Sequence, residues 1–273
     1  SLEDNSIGIL DAMRYSSLNG GKFIRALLVY STADAFKINV KLLDQVAISI
    51  ELIHAYSLIH DDLPSMDNDT IRRGVPSCHI AFSESTAILA GDALQALAFE
   101  ILSENKYKGI SDNMRLRWIN YLSSSIGAAG IAGGQYLDLL INNKSTELEY
   151  LNYIYSLKTS SLIKSCIILP AMLTKNITKD EFLKLEEFAS ILGISFQIKD
   201  DLLGYMCSST TLGKTQGKDE QRNQPNYINL LGLGKTEKKL EENKKCIDKL
   251  LKDLALEKSM LHNISNYIFN RSF

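Results

Sequence analysis

The sequence predicts an all-α protein, and three observations carry that expectation. Apolar residues recur at i, i+3, i+4 and i+7 over long stretches, the spacing of one helix face. No stretch sustains the alternation of a half-buried strand. Only four prolines interrupt 273 residues. A helical chain of this length, apolar through several central helices, must wrap some helices inside others. A single domain over 1–273 is therefore expected, with no internal repeat or low-complexity linker. The chain opens on Ser1 rather than Met, so an upstream piece is expected.

Composition narrows the function classes. Apolar content of 45% and charged content of 23% are ordinary for a soluble globular protein. A net charge of −2 gives no nucleic-acid footprint. Charges such as Glu51 and Lys164 break the apolar runs short of the ~20 residues of a membrane span, and no signal peptide is visible. Cys78, Cys166, Cys207 and Cys246 lack metal-ligand spacing, so inert thiols of a reducing cytosol are expected.

The first strongly periodic run is LNGGKFIRALL. Gly20 and Gly21 make a turn into a helix, and Lys22 and Arg25 share a face at its start. Free backbone N–H groups there favour an anion, although a basic surface helix end fits equally well. Val46 to Leu58 is the next helix, interrupted by Glu51, His54 and small residues. It runs into HAYSLIHDDLPSMDNDTIRRG, residues 54–74, which holds Asp61, Asp62, Asp67 and Asp69 and the pair Arg72–Arg73.

Carboxylates at the end of a buried helix are costly unless a cation neutralises them. Mg²⁺ is usually held by one or two carboxylates plus substrate phosphates. Arginine reads such phosphates with a planar fork that is always charged. The bland alternative is a solvated acidic helix end followed by a basic turn. Asp61 and Asp67 do not share a helix face, so their convergence requires the break that Pro64 supplies. His54 lies about two turns before Asp61 on the same face, where a lone histidine is more often a core residue. Tyr56 and Ser57 lie about one turn deeper than Asp61, and His60 is given no role.

Ala87 to Leu102 forms a helix in which Gly91 marks a tight crossing. The polar stretch Asn105 to Asn113 is a connection, and Arg115 to Ile131 is a helix that ends in the small residues GAAGIAGG. Gln135 and Asp138 either line a cavity or cap a helix end. One long helix is expected over Glu147 to Thr174, kinked or ended by Pro170. Lys158 and Thr159 interrupt its stripe, and alone Lys158 would be a snorkelling surface lysine. Thr178 and Glu181 form a capping box opening the helix that carries Gln197, Asp200 and Asp201. Lys235 to Leu254 is amphipathic, and His262 to Phe273 closes the chain.

Together these motifs resemble the short-chain trans-prenyl diphosphate synthases. DDLPSMD is similar to the family's first aspartate-rich motif in its bacterial form, and the segment through AILAGDALQALAF resembles bacterial farnesyl diphosphate synthase. GGKFIRA resembles GGKxxRP, with Ala26 for the proline. GGQYLDL matches GGQxxD, and TLGKTQGKD resembles LGKxxGxD. FQIKDDLLG resembles FQxxDDxxD, with Gly204 in place of the third aspartate. Asn223, Gln224 and Asn226 stand where the family has a glycine, a lysine and a threonine. The resemblance runs in the family's order from Gly20 to the C-terminus.

The resemblance implies a helical bundle around a deep central cavity, with the aspartate motifs facing each other at its mouth. It implies two or three Mg²⁺ ions held by Asp61, Asp67 and Asp200. Lys22, Arg25, His54 and Arg73 would bind isopentenyl diphosphate, and Arg72, Lys158 and Lys214 the allylic diphosphate. Lys158, Thr159 and Gln197 would serve catalysis, and Tyr56 with Ser57 would limit the chain to fifteen carbons. A cytoplasmic homodimer making farnesyl diphosphate is the implied protein. The alternatives are a geranyl or geranylgeranyl diphosphate synthase, an isoprenoid cyclase, or a weakly active subunit of a hetero-oligomer. The basic set at Lys22, Arg25 and Arg73 argues against the cyclase, and Gly204 and Gln224 are what favour the subunit.

Overall fold

The structure is a computed structural model that describes residues 7–105, 109–141, 146–210 and 225–271. Lys214, Asn223 and Gln224 lie outside the described residues. Among the described residues nearly all regular structure is helical, as expected, with two strands of two residues each. The chain packs as two compact units, Ser1–Tyr30 with Asn39–Asn120, and Ser31–Ile38 with Tyr121–Phe273.

The first unit is built on α3 (Asp44–Asp61) and α5 (Glu84–Ser103). They run antiparallel along a seam of side-chain to backbone bonds. Gln45 Nε2 donates to the carbonyls of Ile101 and Glu104 at 2.8 and 2.9 Å. Ser49 Oγ donates to Ala98 O at 2.7 Å. At the far end, His60 Nε2 lies 3.1 Å from Ile88 O. Gly91 makes this approach possible, because a Cβ there would collide with the His60 ring. The glycine marks a tight crossing, and His60 is the side chain that fills it. Val46, Ile50 and Ile53 are fully buried on α3, each contributing about 1.5–3 kcal/mol of transfer free energy.

Around this pair lie α1 (Ile7–Leu18), the start of α2 (Ile24–Ala35), the short α4 (Cys78–Ala81) and the start of α6 (Asp112–Ile126). Glu51, which interrupts the apolar run of α3, accepts from Ala26 N at 2.9 Å and so caps α2. A proline at 26 would have no N–H to give. The connection before α6 is pinned by the buried Arg115, which donates to the carbonyls of Glu104 and Ile110 and to Asn105 and Asp112.

Strands β1 (Ile71–Arg72) and β2 (Val75–Pro76) pair antiparallel, Arg72 opposite Val75. Their turn residues Arg73 and Gly74 have φ of 53° and 80°. Two positive φ values are what a two-residue hairpin of primed type requires. Strands of two residues are too short for alternation to show in the sequence.

The second unit contains α7 (Ile131–Leu140), α8 (Leu148–Tyr155), α9 (Ser161–Ala171), α10 (Lys179–Thr210), α11 (Tyr227–Leu231), α12 (Leu233–Asp253) and α13 (Met260–Asn270). Helix α9 is its core, with every residue from Ser165 to Ala171 buried. The helix expected over Glu147–Thr174 runs without a break from Leu148 to Ala171, and a π turn at Ser156–Ser160 divides it into α8 and α9. Pro170 sits in the last turn of α9, so it ends the helix rather than breaking its middle. The capping box is present: Thr178 N donates to Glu181 Oε2 at 2.7 Å, and Glu181 N to Thr178 Oγ1 at 3.2 Å.

By length and hydropathy alone, Val40–Asp61 and Glu84–Ser103 would suffice to cross a membrane, which differs from the expectation drawn from run lengths. Helical continuity carries apolar character through the isolated charges. The first of them is largely buried within the protein, the mark of a core helix.

Candidate active site

The acidic site grows out of the end of α3. After Asp61 the helix stops, Leu63 to Asp67 form tight turns, and Asn68 adopts φ of 51°. Asp67 N then donates to Asp61 O at 2.8 Å. That bond spans six residues, so the break at Pro64 brings the two aspartates back together, as their spacing required. Both are half-buried.

Asp62 has a different role from its neighbour. It is 2% exposed, and Arg72 clasps it through Nε, at 3.1 and 3.2 Å to its two carboxylate oxygens, and through a short bond from the guanidinium. Asp69 lies 3.6 Å from the same guanidinium. Arg72 is thus aimed by two carboxylates, and the bond to Asp62 with those charges holds its proton more firmly than usual, against burial. Hard oxygen donors at Asp61 and Asp67 suit Mg²⁺, while Asp62 is already committed to an arginine.

The basic site lies two turns back along α3. Arg73 Nη1 donates to Gly20 O at 2.6 Å, and its guanidinium packs over Gly21, which has φ of 119°. Two motifs more than fifty residues apart therefore meet. His54 lies near three guanidinium groups. Burial first, then Arg25, Arg73 and Arg72, hold its imidazole well below the usual histidine range. A neutral imidazole facing three cations is a place for a polyvalent anion. Phe23 and Arg73 both have positive φ, and strain of this kind in residues other than glycine collects at ligand-binding sites.

Tyr56 is 8% exposed. Its ring meets that of His60 edge-on at 5.7 Å, and its hydroxyl bonds the side chain of Gln95 on α5. Ser57 Oγ donates to His54 O at 3.0 Å.

In the second unit the π turn carries Lys158 and Thr159. It is wedged between two glycines, since a Cβ on Gly134 would strike the Lys158 backbone and one on Gly193 would strike Ser160. Lys158 Nζ donates to Asp138 Oδ2 at 2.5 Å. Asp138 therefore holds the lysine rather than capping α7. Gln135 is 7% exposed, and neither atom of its amide has a hydrogen-bond partner among the described residues. Such a buried amide is costly until something satisfies it.

Thr159 Oγ1 donates to Gln197 Oε1 at 3.0 Å, and Gln197 Nε2 donates to Asp201 Oδ1 at 3.3 Å. Asp201 Oδ2 accepts from Tyr155 Oη at 2.9 Å and from Tyr227 N at 3.0 Å. Desolvation pushes Asp201 up to about 6, although all three bonds pull the other way. Asp200 is more open, and its Oδ1 accepts from Arg271 at 2.6 Å. Arg271 also donates to Phe196 O and lies 3.9 Å over the Phe196 ring.

Tyr155, Arg271 and the role of Asp201 were missed from sequence. Gln197 and Asp201 are a helical i, i+4 pair, a signal that was there to use. Arg271 lies 71 residues from Asp200 and carries no local signal.

The family model for polyprenyl synthetase matches residues 8–266. The chain is 42% identical over 267 residues to the farnesyl diphosphate synthase of Escherichia coli K12, covering 97% of this chain and 89% of that one. An FPP/GFPP synthase from Zymomonas mobilis has a similar fold, with a TM-score of 0.85 at 36% identity, over 98% of this chain and 90% of that one. A geranyltransferase of Helicobacter pylori, complexed with magnesium and isoprenyl diphosphate, has a TM-score of 0.84 at 31% identity, over 99% of this chain and 89% of that one.

Proposed function

The chain belongs to the polyprenyl synthetase family, and from that premise we propose that it condenses isopentenyl diphosphate head to tail with dimethylallyl or geranyl diphosphate, giving farnesyl diphosphate. One observation carries the reading. Gly20–Gly21, His54 and Arg73 bring three separate motifs into one basic cluster on the helix that ends in Asp61. A carboxylate site and a basic site two turns apart suit two diphosphates of unequal fate. A cyclase has no use for the second.

Lys22, Arg25, His54 and Arg73 hold isopentenyl diphosphate, and its charge offsets the cations that crowd His54. Arg72, aimed by Asp62 and Asp69, takes an oxygen of the allylic diphosphate. Lys158, aimed by Asp138, takes another. Lys214 is assigned to the same diphosphate by family resemblance.

Asp61, Asp67 and Asp200 would hold two or three Mg²⁺ ions, which, when bound, neutralise the departing diphosphate. Asp200 would then exchange its bond to Arg271. Thr159 and Gln197 face the developing allylic cation with oxygen lone pairs. Water must be kept from that cation, or an alcohol forms in place of the longer chain.

The proposed partner is a second copy. Helix α5 leaves Ile88 and Leu89 44% and 56% exposed, large apolar groups side by side on a helix of high hydropathy. The proposed compartment is the cytoplasm, where Cys78, Cys166 and Cys246 would stay thiols.

Incubation with isopentenyl diphosphate, each allylic substrate and Mg²⁺, followed by chromatography of the dephosphorylated products, tests the reading. Farnesol should dominate. Geraniol or geranylgeraniol as the main product would move the chain to another member of the same family. No product at any protein concentration would favour the weakly active subunit.

A further inference from the structure

We infer that Asp201 is a positioning residue that sets the polarity of the Thr159 hydroxyl through the amide of Gln197. The inference rests on the assignment of Thr159 to the cation in the proposed function.

Tyr227 N–H is a backbone group with no choice but to donate, and it donates to Asp201 Oδ2 at 3.0 Å. Tyr155 Oη donates to the same oxygen at 2.9 Å. The other oxygen, Oδ1, is an acceptor that faces Gln197. An amide presents either its NH₂ or its carbonyl to a neighbour, and an acceptor selects the NH₂. With Nε2 turned to Asp201, Gln197 Oε1 must face Thr159. The Thr159 hydroxyl then has an acceptor at 3.0 Å and spends its single hydrogen there. Only its lone pairs remain to face outward. A cation wants lone pairs, and an outward O–H would present the wrong end of the dipole.

The π turn makes the chain of contacts possible. It places Thr159 against α10 close to Gln197, with Gly193 giving the space in which Ser160 lies. Each link is thereby fixed by packing rather than by a flexible loop.

Asp201→Asn reverses the polarity with almost no change of shape. Its carbonyl must serve Tyr227 N–H, which leaves its NH₂ facing Gln197. The Gln197 amide then turns over and donates to Thr159, whose hydrogen is driven outward. Steady-state kinetics on the full chain should show kcat lowered by ~10–100-fold, with both KM values and the half-saturating Mg²⁺ concentration unchanged.

In a Thr159→Val background, Asp201→Asn should have no further effect, because the relay then ends on a methyl group. Asp201→Asn combined with Gln197→Glu should recover most of the lost kcat, because a carboxylate accepts from both sides. This pair also decides the matter if Asp201→Asn alone does not fold.

Multiplicative losses from Thr159→Val and Asp201→Asn would overturn the relay. So would a shifted Mg²⁺ requirement, or a folded double variant as slow as the single. A Thr159→Val enzyme with normal kcat would instead overturn the assignment of Thr159, which separates the two failures.

Discussion

Single side chains carry most of the chemistry, and His54 is the clearest. In the free protein its folded pKa lies below 6.5, so it stays neutral where the unfolded chain takes up a proton. Stability is therefore lost as pH falls through 6.5, and the loss levels off once the folded imidazole also titrates. Saturation with inorganic pyrophosphate should raise the pKa of His54, read by NMR of the imidazole carbons. A value above 6.5 in the free protein, or no rise with pyrophosphate, would contradict the anion site.

Tyr56 makes the second prediction at this scale. Its ring is packed against His60 and Gln95, so Tyr56→Ala opens volume beside α5 one turn below Asp61. It should shift the main product to twenty carbons or more, at a cost of about 3–5 kcal/mol in stability. Unchanged farnesyl diphosphate from a folded Tyr56→Ala enzyme would mean that Tyr56 only fills the core.

Among the elements, the π turn at Ser156–Ser160 is the one whose shape is functional. A π turn inserts a residue into a helix and re-aims the side chains on it, and such turns collect at functional sites. Gly134→Ala would drive a Cβ into the Lys158 backbone. It should lower the unfolding free energy by about 1–3 kcal/mol and reduce kcat at the same time. Gly8→Ala is the control, since nothing lies within 4 Å of a Cβ there. Calorimetry and kinetics on the two variants should separate cleanly. A Gly134→Ala protein as stable and as fast as the control would show that the turn tolerates displacement. The hairpin of β1 and β2 is the other shaped element. Its left-handed Arg73 is where the Gly20 carbonyl and the His54 cluster meet.

At the scale of the molecule, the exposed face of α5 bears on assembly. Leu89→Glu replaces one of two large apolar groups that α5 leaves exposed in a single chain by a charge. Light scattering at micromolar concentration should show a dimer for the parent and a monomer for the variant. A parent that runs as a monomer would remove the second copy from the account.

How much of this was legible in the sequence depended on the distance over which each cause acts. The all-α class, the capping box at Thr178 and Glu181, and the break at Pro64 follow from spacing within a few residues. The convergence of Asp61 and Asp67 followed as well, because a helix face and one proline define it. The role of Gly91 was partly legible: the glycine announced a close crossing, but not that His60 would fill it. Tertiary structure alone decided the rest. Asp61 and Asp62 are adjacent and chemically identical, yet only packing buries Asp62 beneath Arg72. Asp200 and Asp201 divide the same way, one taken by Arg271 from the far end of the chain and the other by Tyr155, Tyr227 and Gln197. Residue type and periodicity are local properties of the chain. Which of two like carboxylates is desolvated, and which cation reaches it, depends on groups brought together only by the fold.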